Sequence, residues 1–84
     1  MKKQIYLIKD DIGQEFREMF LAPNEGIAIR QMTSLVNDDK KSDITENTAD
    51  FKLYRAGEID YETGEITAKL EFIKNLVELK RSKN

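Results

Sequence analysis

Short segments of alternating apolar residues, separated by turn-forming residues, most constrain what this chain can fold into. In residues 4–9, Ile5 and Leu7 lie on one side of an extended strand, and further apolar residues lie on the other side. This pattern is typical of a strand that is covered on both faces. Residues 15–22 repeat the alternation after turn-forming residues at 10–13. The two segments predict an antiparallel hairpin, whose register the sequence does not determine.

A helix is predicted from Asn24 to about Val36. Asn24 is a good N-cap, because its side-chain oxygen can accept a hydrogen bond from a free amide of the first turn. Glu25 lies at the positive end of the helix dipole, where a carboxylate is stabilising. Apolar residues recur at helical spacing and form one stripe: Ala28, Ile29, Met32, Leu35 and Val36.

The middle of the chain is polar and charged. Residues 37–48 contain a single large apolar residue, Ile44, and we expect residues 37–49 to form a mobile polar loop. Residues 50–59 return to a strand pattern, in which Gly57 interrupts the alternation as a bulge or a close backbone approach would. A hairpin loop is predicted at 60–64.

The last apolar segment is ambiguous. A fourth strand is predicted at 65–68, and residues 70–79 fit a helix better than a strand, with the strand kept as the alternative. The resulting order is ββα-loop-ββα. It predicts a single α+β domain over residues 1–84, with a small antiparallel sheet and one or two helices on one face. Residues 80–84 form a basic tail.

A chain of 84 residues has a thin core, and no cysteine is present to staple it with a disulfide. A dimer interface could supply the missing burial. The strands at 4–9 and 15–22 are apolar on both sides, so we expect an oligomer, most simply a twofold homodimer.

Catalytic chemistry has few options in this chain. It contains no histidine and no cysteine, and its four glycines are scattered, so we expect no enzyme activity, no metal site and no cofactor. The net charge of −2 argues against the broad basic surface of a strong duplex-DNA binder. Neither a signal peptide nor a membrane-spanning segment is evident, so no membrane partner is expected.

One local cluster suggests nucleic-acid binding. Lys52 and Tyr54 share one face of the predicted third strand, and Arg55 follows directly. Bases of single-stranded DNA stack on exposed rings while lysine or arginine contacts the phosphates. Lys80 and Arg81 of the basic tail complete the candidate set. The competing interpretation is a solvated sheet face, or a Tyr54 buried in a dimer.

Three segments resemble the small nonstructural proteins of gokushovirus-type microviruses, which are single-stranded DNA bacteriophages. They are residues 5–10 (IYLIKD), residues 20–32 (FLAPNEGIAIRQM) and residues 50–60 (DFKLYRAGEID), which lead into residues 63–66 (TGEI). The resemblance covers about residues 4–67. Glu25 and Ile59 depart from the family pattern, which has aspartate and an aromatic residue there, and the chain after Ala68 does not match it.

The resemblance implies a protein made in the cytoplasm of the infected bacterium that is not part of the virion. Such proteins are usually supposed to act in DNA replication. Our leading hypothesis is a non-enzymatic accessory protein that binds replicating single-stranded DNA. The alternative is a protein-binding adaptor that recruits or inhibits a host or phage replication protein.

The predicted loop gives a first test. Because residues 38–48 are highly charged and nearly lack apolar anchors, their amides are expected to exchange quickly with solvent hydrogen. Hydrogen exchange followed by NMR or mass spectrometry measures this directly. Strong protection along the whole segment would contradict the prediction.

Overall fold

Four antiparallel strands form one sheet in the computed structural model, which describes residues 1–81. The order across the sheet is β2-β1-β3-β4, so β1 and β3 are central and β2 and β4 are edges. The strand bounds are β1, Lys2–Asp10; β2, Glu15–Ala22; β3, Phe51–Asp60; and β4, Ile66–Asn75. The predicted α+β class with a small antiparallel sheet is confirmed.

One main helix, α1 (Glu25–Val36), covers the sheet. Its predicted N-cap is confirmed, because the Asn24 side chain accepts a hydrogen bond of 2.9 Å from the Ile27 amide. The remaining helical pieces are single turns: α2 (Asp43–Glu46), a 3₁₀ turn at Thr48–Asp50 and a second 3₁₀ turn at Leu76–Leu79.

The core lies between α1 and one face of the sheet. The buried residues of α1 are Ala28, Met32 and Val36, spaced by one helical turn. They pack in one cluster with six further buried side chains: Tyr6, Ile8, Ala22, Phe51, Leu53 and Leu76. Full burial of a large apolar side chain stabilises the fold by about 1.5–3 kcal/mol. Within one chain, β1 is therefore covered by a helix on one side only.

The prediction of a helix over residues 70–79 is wrong, and the strand alternative is correct as far as Asn75. β4 pairs with β3 from Ile59 opposite Ile66 to Lys52 opposite Asn75. The chain turns helical only at Leu76, which is fully buried. Pairing with β3 decides the outcome, because a short apolar run suits either structure until a neighbouring strand supplies its hydrogen bonds.

The segment predicted as a mobile polar loop contains ordered turns. Ser42 caps α2 by accepting a hydrogen bond from the Thr45 amide, and the Thr45 hydroxyl accepts one from the Ser42 amide. Ile44 packs against the core, and Thr48 is buried. These anchors explain how a polar segment follows the surface closely, and its mobility in solution stays a prediction.

Gly57 allows β3 and β4 to approach closely, as its position in the strand pattern predicts. Its φ of +145° lies outside the range that residues with a side chain normally adopt, and a Cβ there would collide with the Thr67 carbonyl oxygen. The pairing of β3 with β1 and the pairing of β3 with β4 both shift register between Arg55 and Gly57.

A pair of glycine substitutions tests this account. Gly57→Ala is expected to lower the free energy of unfolding by at least about 2 kcal/mol, through backbone strain and the collision with Thr67. Gly26→Ala is the matched control, because a Cβ there meets only the Asn24 side chain at 3.4 Å. It should raise stability by about 0.4–1 kcal/mol. Urea unfolding measures both, and equal effects of the two variants would refute the close approach.

Candidate nucleic-acid interface

The sheet face turned away from α1, here called the open face, is unusually apolar. Directly paired residues of neighbouring strands lie on the same face, which assigns the side chains of β2 and β4 from their partners on β1 and β3. The large apolar residues exposed on this face are Phe16, Met19, Leu21, Ile66, Leu70 and Phe72. Their exposure runs from 39% at Leu21 to 68% at Met19. Clusters of exposed apolar side chains are typical of interaction sites, which makes this face the candidate interface.

A row of three aromatic rings crosses the open face. Tyr54 on β3 lies between Phe16 on β2 and Phe72 on β4, with ring centroids 5.2 Å and 5.6 Å apart. Both contacts are edge-to-face, with interplanar angles of 81° and 73°. Tyr54 is largely enclosed by its neighbours, whereas Phe72 is more exposed, with 50% of its surface open to solvent. Sheet pairing thus joins three residues that are far apart in the sequence into one platform.

Two lysines lie beside this aromatic row. Lys9 and Lys52 are directly paired across β1 and β3, and the Lys9 ammonium is 5.8 Å from the centre of the Phe16 ring. Both lysines contact the carboxylate of Asp11, Lys9 at 3.7 Å and Lys52 more closely. The Asp11 backbone N–H donates to the Asp50 carbonyl at 2.9 Å, which fixes the turn that carries the carboxylate.

At the opposite end of the sheet, carboxylates are paired with cations: the N-terminal ammonium is 3.2 Å from Glu62 and the Lys2 ammonium 3.6 Å from Glu58. The turn between β3 and β4 begins at Asp60, whose side chain accepts a hydrogen bond of 2.8 Å from the Glu62 amide. That hydrogen bond lowers the pKa of Asp60, so its carboxyl is ionised at neutral pH. Each end of the sheet thus carries both acidic and basic side chains.

Arg55, grouped with Lys52 and Tyr54 in the sequence, lies on the other face of the sheet. It is paired with the buried Tyr6, and its guanidinium contacts the Glu71 carboxylate at 3.3 Å. Its Nε donates a hydrogen bond of 2.5 Å to Gln4. The structure thus brings Lys52 and Tyr54 together but separates Arg55 from them.

The described part of the basic tail is also remote from the open face. The Lys80 ammonium donates to the carbonyls of Val36 and Thr45, both at 2.8 Å. The Arg81 backbone N–H donates to the Asn37 side chain at 2.8 Å. Lys80 therefore places its positive charge at the C-terminal end of α1, where the helix dipole favours a cation. Residues 82–84 of the predicted tail lie outside the described residues.

Sequence reasoning missed four residues of this surface: Lys9, Asp11, Phe16 and Phe72. Phe16 was assigned to a strand, but only the observed register brings its ring to Tyr54. Phe72 was missed because its segment was interpreted as a helix. Its alternation with Ile66 and Leu70 was the signal that could have placed it on a strand.

A second concave surface lies on the helix side of the sheet. It is a groove of about 560 Å³ between α1, β2 and α2, and its lining includes Met32, Leu35 and Ile44. The Arg17 guanidinium is 3.7 Å from both Asp10 and Asp43 at this groove. Glu18 also lines this groove, and most of the other lining residues are apolar.

The fold and its open face define a small antiparallel α+β protein with an aromatic sheet platform. The family model described as Phage ORF5 protein matches residues 3–79, so the chain belongs to the Phage ORF5 protein family. No curated protein and no solved structure matches the chain. No helix within residues 1–81 is long and apolar enough to cross a membrane.

The aromatic row makes a prediction about stability. Tyr54→Ala should lower the free energy of unfolding by about 2–3 kcal/mol, because it removes two ring contacts and a half-buried side chain. Phe72→Ala should cost only about 1 kcal/mol, because Phe72 has one ring neighbour and is half-exposed. Urea unfolding of both variants measures the difference. A Tyr54→Ala protein as stable as wild type would mean that the row does not form in solution.

Proposed function

We propose that this phage protein binds single-stranded DNA on the open face and acts, without enzymatic activity, in replication of the phage genome. The observation that carries the proposal is the aromatic row of Phe16, Tyr54 and Phe72, with Lys9 and Lys52 beside it. The site retains Lys52 and Tyr54 from the set predicted by sequence. It omits Arg55 and Lys80, whose side-chain nitrogens are engaged on the helix side, and Arg81, whose backbone N–H is bonded to Asn37 there.

The chemistry of the open face suits a single strand. Unpaired bases can stack on aromatic side chains, and each such contact contributes about 1–3 kcal/mol. A four-stranded sheet whose aromatic side chains stack two or three bases is a known geometry for single-strand recognition. Bases in a duplex are already stacked and paired, so their faces are not available to the rings. The open face should therefore prefer single strands to duplex.

Asp11 sets the electrostatic cost of binding. Its carboxylate contacts both Lys9 and Lys52, so an incoming phosphate must displace it or share the cations with it. Because few phosphates would be neutralised, binding should weaken only gently as salt increases. Affinity would then depend mainly on stacking, which agrees with a net charge of −2.

The biological setting follows from the family and from the resemblance to gokushovirus-type microviruses. Phage with single-stranded genomes expose single strands in the cytoplasm of the infected bacterium during replication. A small protein that coats or delivers such strands would act there. Membership of the Phage ORF5 protein family supports the phage origin, and the microvirus assignment remains part of this proposal.

Anisotropy titration of a fluorescent oligothymidylate tests the proposal. Phe72→Ala should weaken binding about tenfold through lost stacking. Lys52→Ala should weaken it less and flatten the salt dependence, because one phosphate contact is lost. Val77→Ala and Arg30→Ala are matched controls, because both residues are exposed away from the open face.

The controls should bind like wild type. No binding by wild type at low salt, or equal losses in test and control variants, would refute direct DNA contact through this face. A thermal melt of each variant separates lost binding from lost folding.

One further substitution is expected to raise the affinity for oligothymidylate rather than lower it. Asp11→Asn keeps the shape of the side chain but frees Lys9 and Lys52 from their carboxylate partner. It should tighten oligothymidylate binding about three- to tenfold at low salt, with a steeper salt dependence. Weaker binding by Asp11→Asn would show that phosphates do not use these lysines.

The alternative function is a protein-binding adaptor for a replication protein. The observation that favours it is the apolar character of the open face, where Met19 and Ile66 are exposed by 68% and 63%. Affinity capture with wild type and with Phe72→Ala distinguishes the two functions. A replication protein retained by wild type after nuclease treatment, but not by the variant, would support the adaptor.

A further inference from the structure

We propose that two copies of this chain pair through their β4 edges about a twofold axis, so that their open faces join into one eight-stranded platform. The pairing itself does not rest on the proposed function, but the longer DNA site that it creates does. The occupant of the β4 edge is thus a second copy of the same chain, in antiparallel register.

β4 is suited to such pairing. It is an edge strand of ten residues, its sequence contains no proline, and the backbone groups on its outer side have no strand partner within residues 1–81. Large side chains along it are exposed, including Leu70 by 56% and Phe72 by 50%. Exposed apolar edges of this length are templates for another strand.

The charges of β4 select one register. Lys69 and Glu71 flank Leu70, and their side chains lie on the same side of the strand, 3.7 Å apart. A twofold axis through Leu70 places Lys69 of each copy opposite Glu71 of the partner subunit. A slip by two residues, the smallest that keeps the faces aligned, places either Glu71 or Lys69 opposite itself. Opposite charges across strands are stabilising and like charges are destabilising.

The same register suits the open face. It places Phe72 of one copy opposite the small Ala68 of the partner subunit, which leaves room for the ring. Each copy contributes one aromatic row, so the joined platform would carry six rings across eight strands. At a strand spacing of about 4.8 Å, the eight strands span roughly 34 Å. A single strand of DNA could follow this path across both copies.

The other edge fits less well. On β2, Arg17 is held by Asp10 and Asp43 and lies 5.8 Å from the centre of the Phe51 ring. Arg17 is therefore paired with two carboxylates of its own chain, whereas Lys69 contacts Glu71 alone within residues 1–81 and has 75% of its side chain exposed.

Disulfide trapping tests the register directly, because the chain contains no cysteine of its own. Leu70→Cys places two thiols opposite each other at the axis, where Cβ atoms of paired residues are about 4.5–5.5 Å apart. Mild oxidation should give mostly covalent dimer. Met19→Cys is the matched control, because Met19 is 68% exposed against 56% for Leu70 but lies on the β2 edge, and it should give no covalent dimer. Equal cross-linking of both variants would overturn the proposal.

Charge exchange tests it in solution without any cross-link. Lys69→Glu and Glu71→Lys each create like-charge pairs, and each should weaken dimerisation about tenfold in sedimentation equilibrium. An equimolar mixture of the two variants restores opposite charges in the heterodimer and should recover wild-type affinity. Wild type that stays monomeric at high micromolar concentration, or a mixture that does not recover, would overturn the proposal. A dimer in which the two open faces pack against each other would be one in which the mixture does not recover.

The two proposals fail separately. The dimer assays contain no DNA, so a dimer that does not bind oligothymidylate would contradict only the proposed function. If both hold, wild type should bind a long oligothymidylate more tightly than a half-length one. Lys69→Glu should lose most of that preference while keeping its affinity for the short strand.

Discussion

One helix of twelve residues must cover a sheet of four strands, and the organisation of this protein follows from that mismatch. α1 spans about 18 Å at 1.5 Å per residue, enough for one face of the sheet. Its buried stripe of Ala28, Met32 and Val36 completes a core with Tyr6 and Leu53. The other face has no second helix within residues 1–81, yet its sequence is apolar. A small chain thereby keeps an exposed apolar sheet face at the expense of a larger core.

Asp11 connects the local structure to the properties of that surface. Its backbone ties the β1–β2 turn to Asp50 at the start of β3, and its carboxylate holds Lys9 and Lys52 in place. The same residue therefore orders one end of the sheet and moderates the charge that a ligand meets there. On the helix side, the Arg55 guanidinium and the Lys80 ammonium have hydrogen-bond partners within the chain. The Tyr6 hydroxyl on the same side is buried and has no partner within residues 1–81.

Much of the fold could be predicted from sequence because it depends on local signals. The first hairpin follows from alternating apolar residues on either side of a turn. The N-cap at Asn24 and the close approach at Gly57 each follow from residue chemistry at one position. β4 could not be assigned with the same certainty, because its apolar residues fit both a helical and an extended period. Pairing with β3 decides it, and that pairing includes register shifts that no local pattern reveals.

The candidate site was predictable only in part. Alternation correctly placed Lys52 and Tyr54 on one face, whereas Arg55 has the opposite parity and faces the helix side. The attachment of Lys80 to Val36 and Thr45 depends on contacts between residues more than thirty positions apart. Sequence proximity grouped charges that the sheet then divides between its two faces. The aromatic row shows the converse, because it assembles rings from three strands.

The central claim is that single-stranded DNA contacts the open face, and an NMR titration of isotope-labelled protein with oligothymidylate tests it most directly. The account predicts that the ring signals of Phe16, Tyr54 and Phe72 and the amides of β3 and β4 shift, while the amides of α1 stay in place. Shifts concentrated on α1 and the groove beside it, or no shifts at saturating oligonucleotide, would contradict the account.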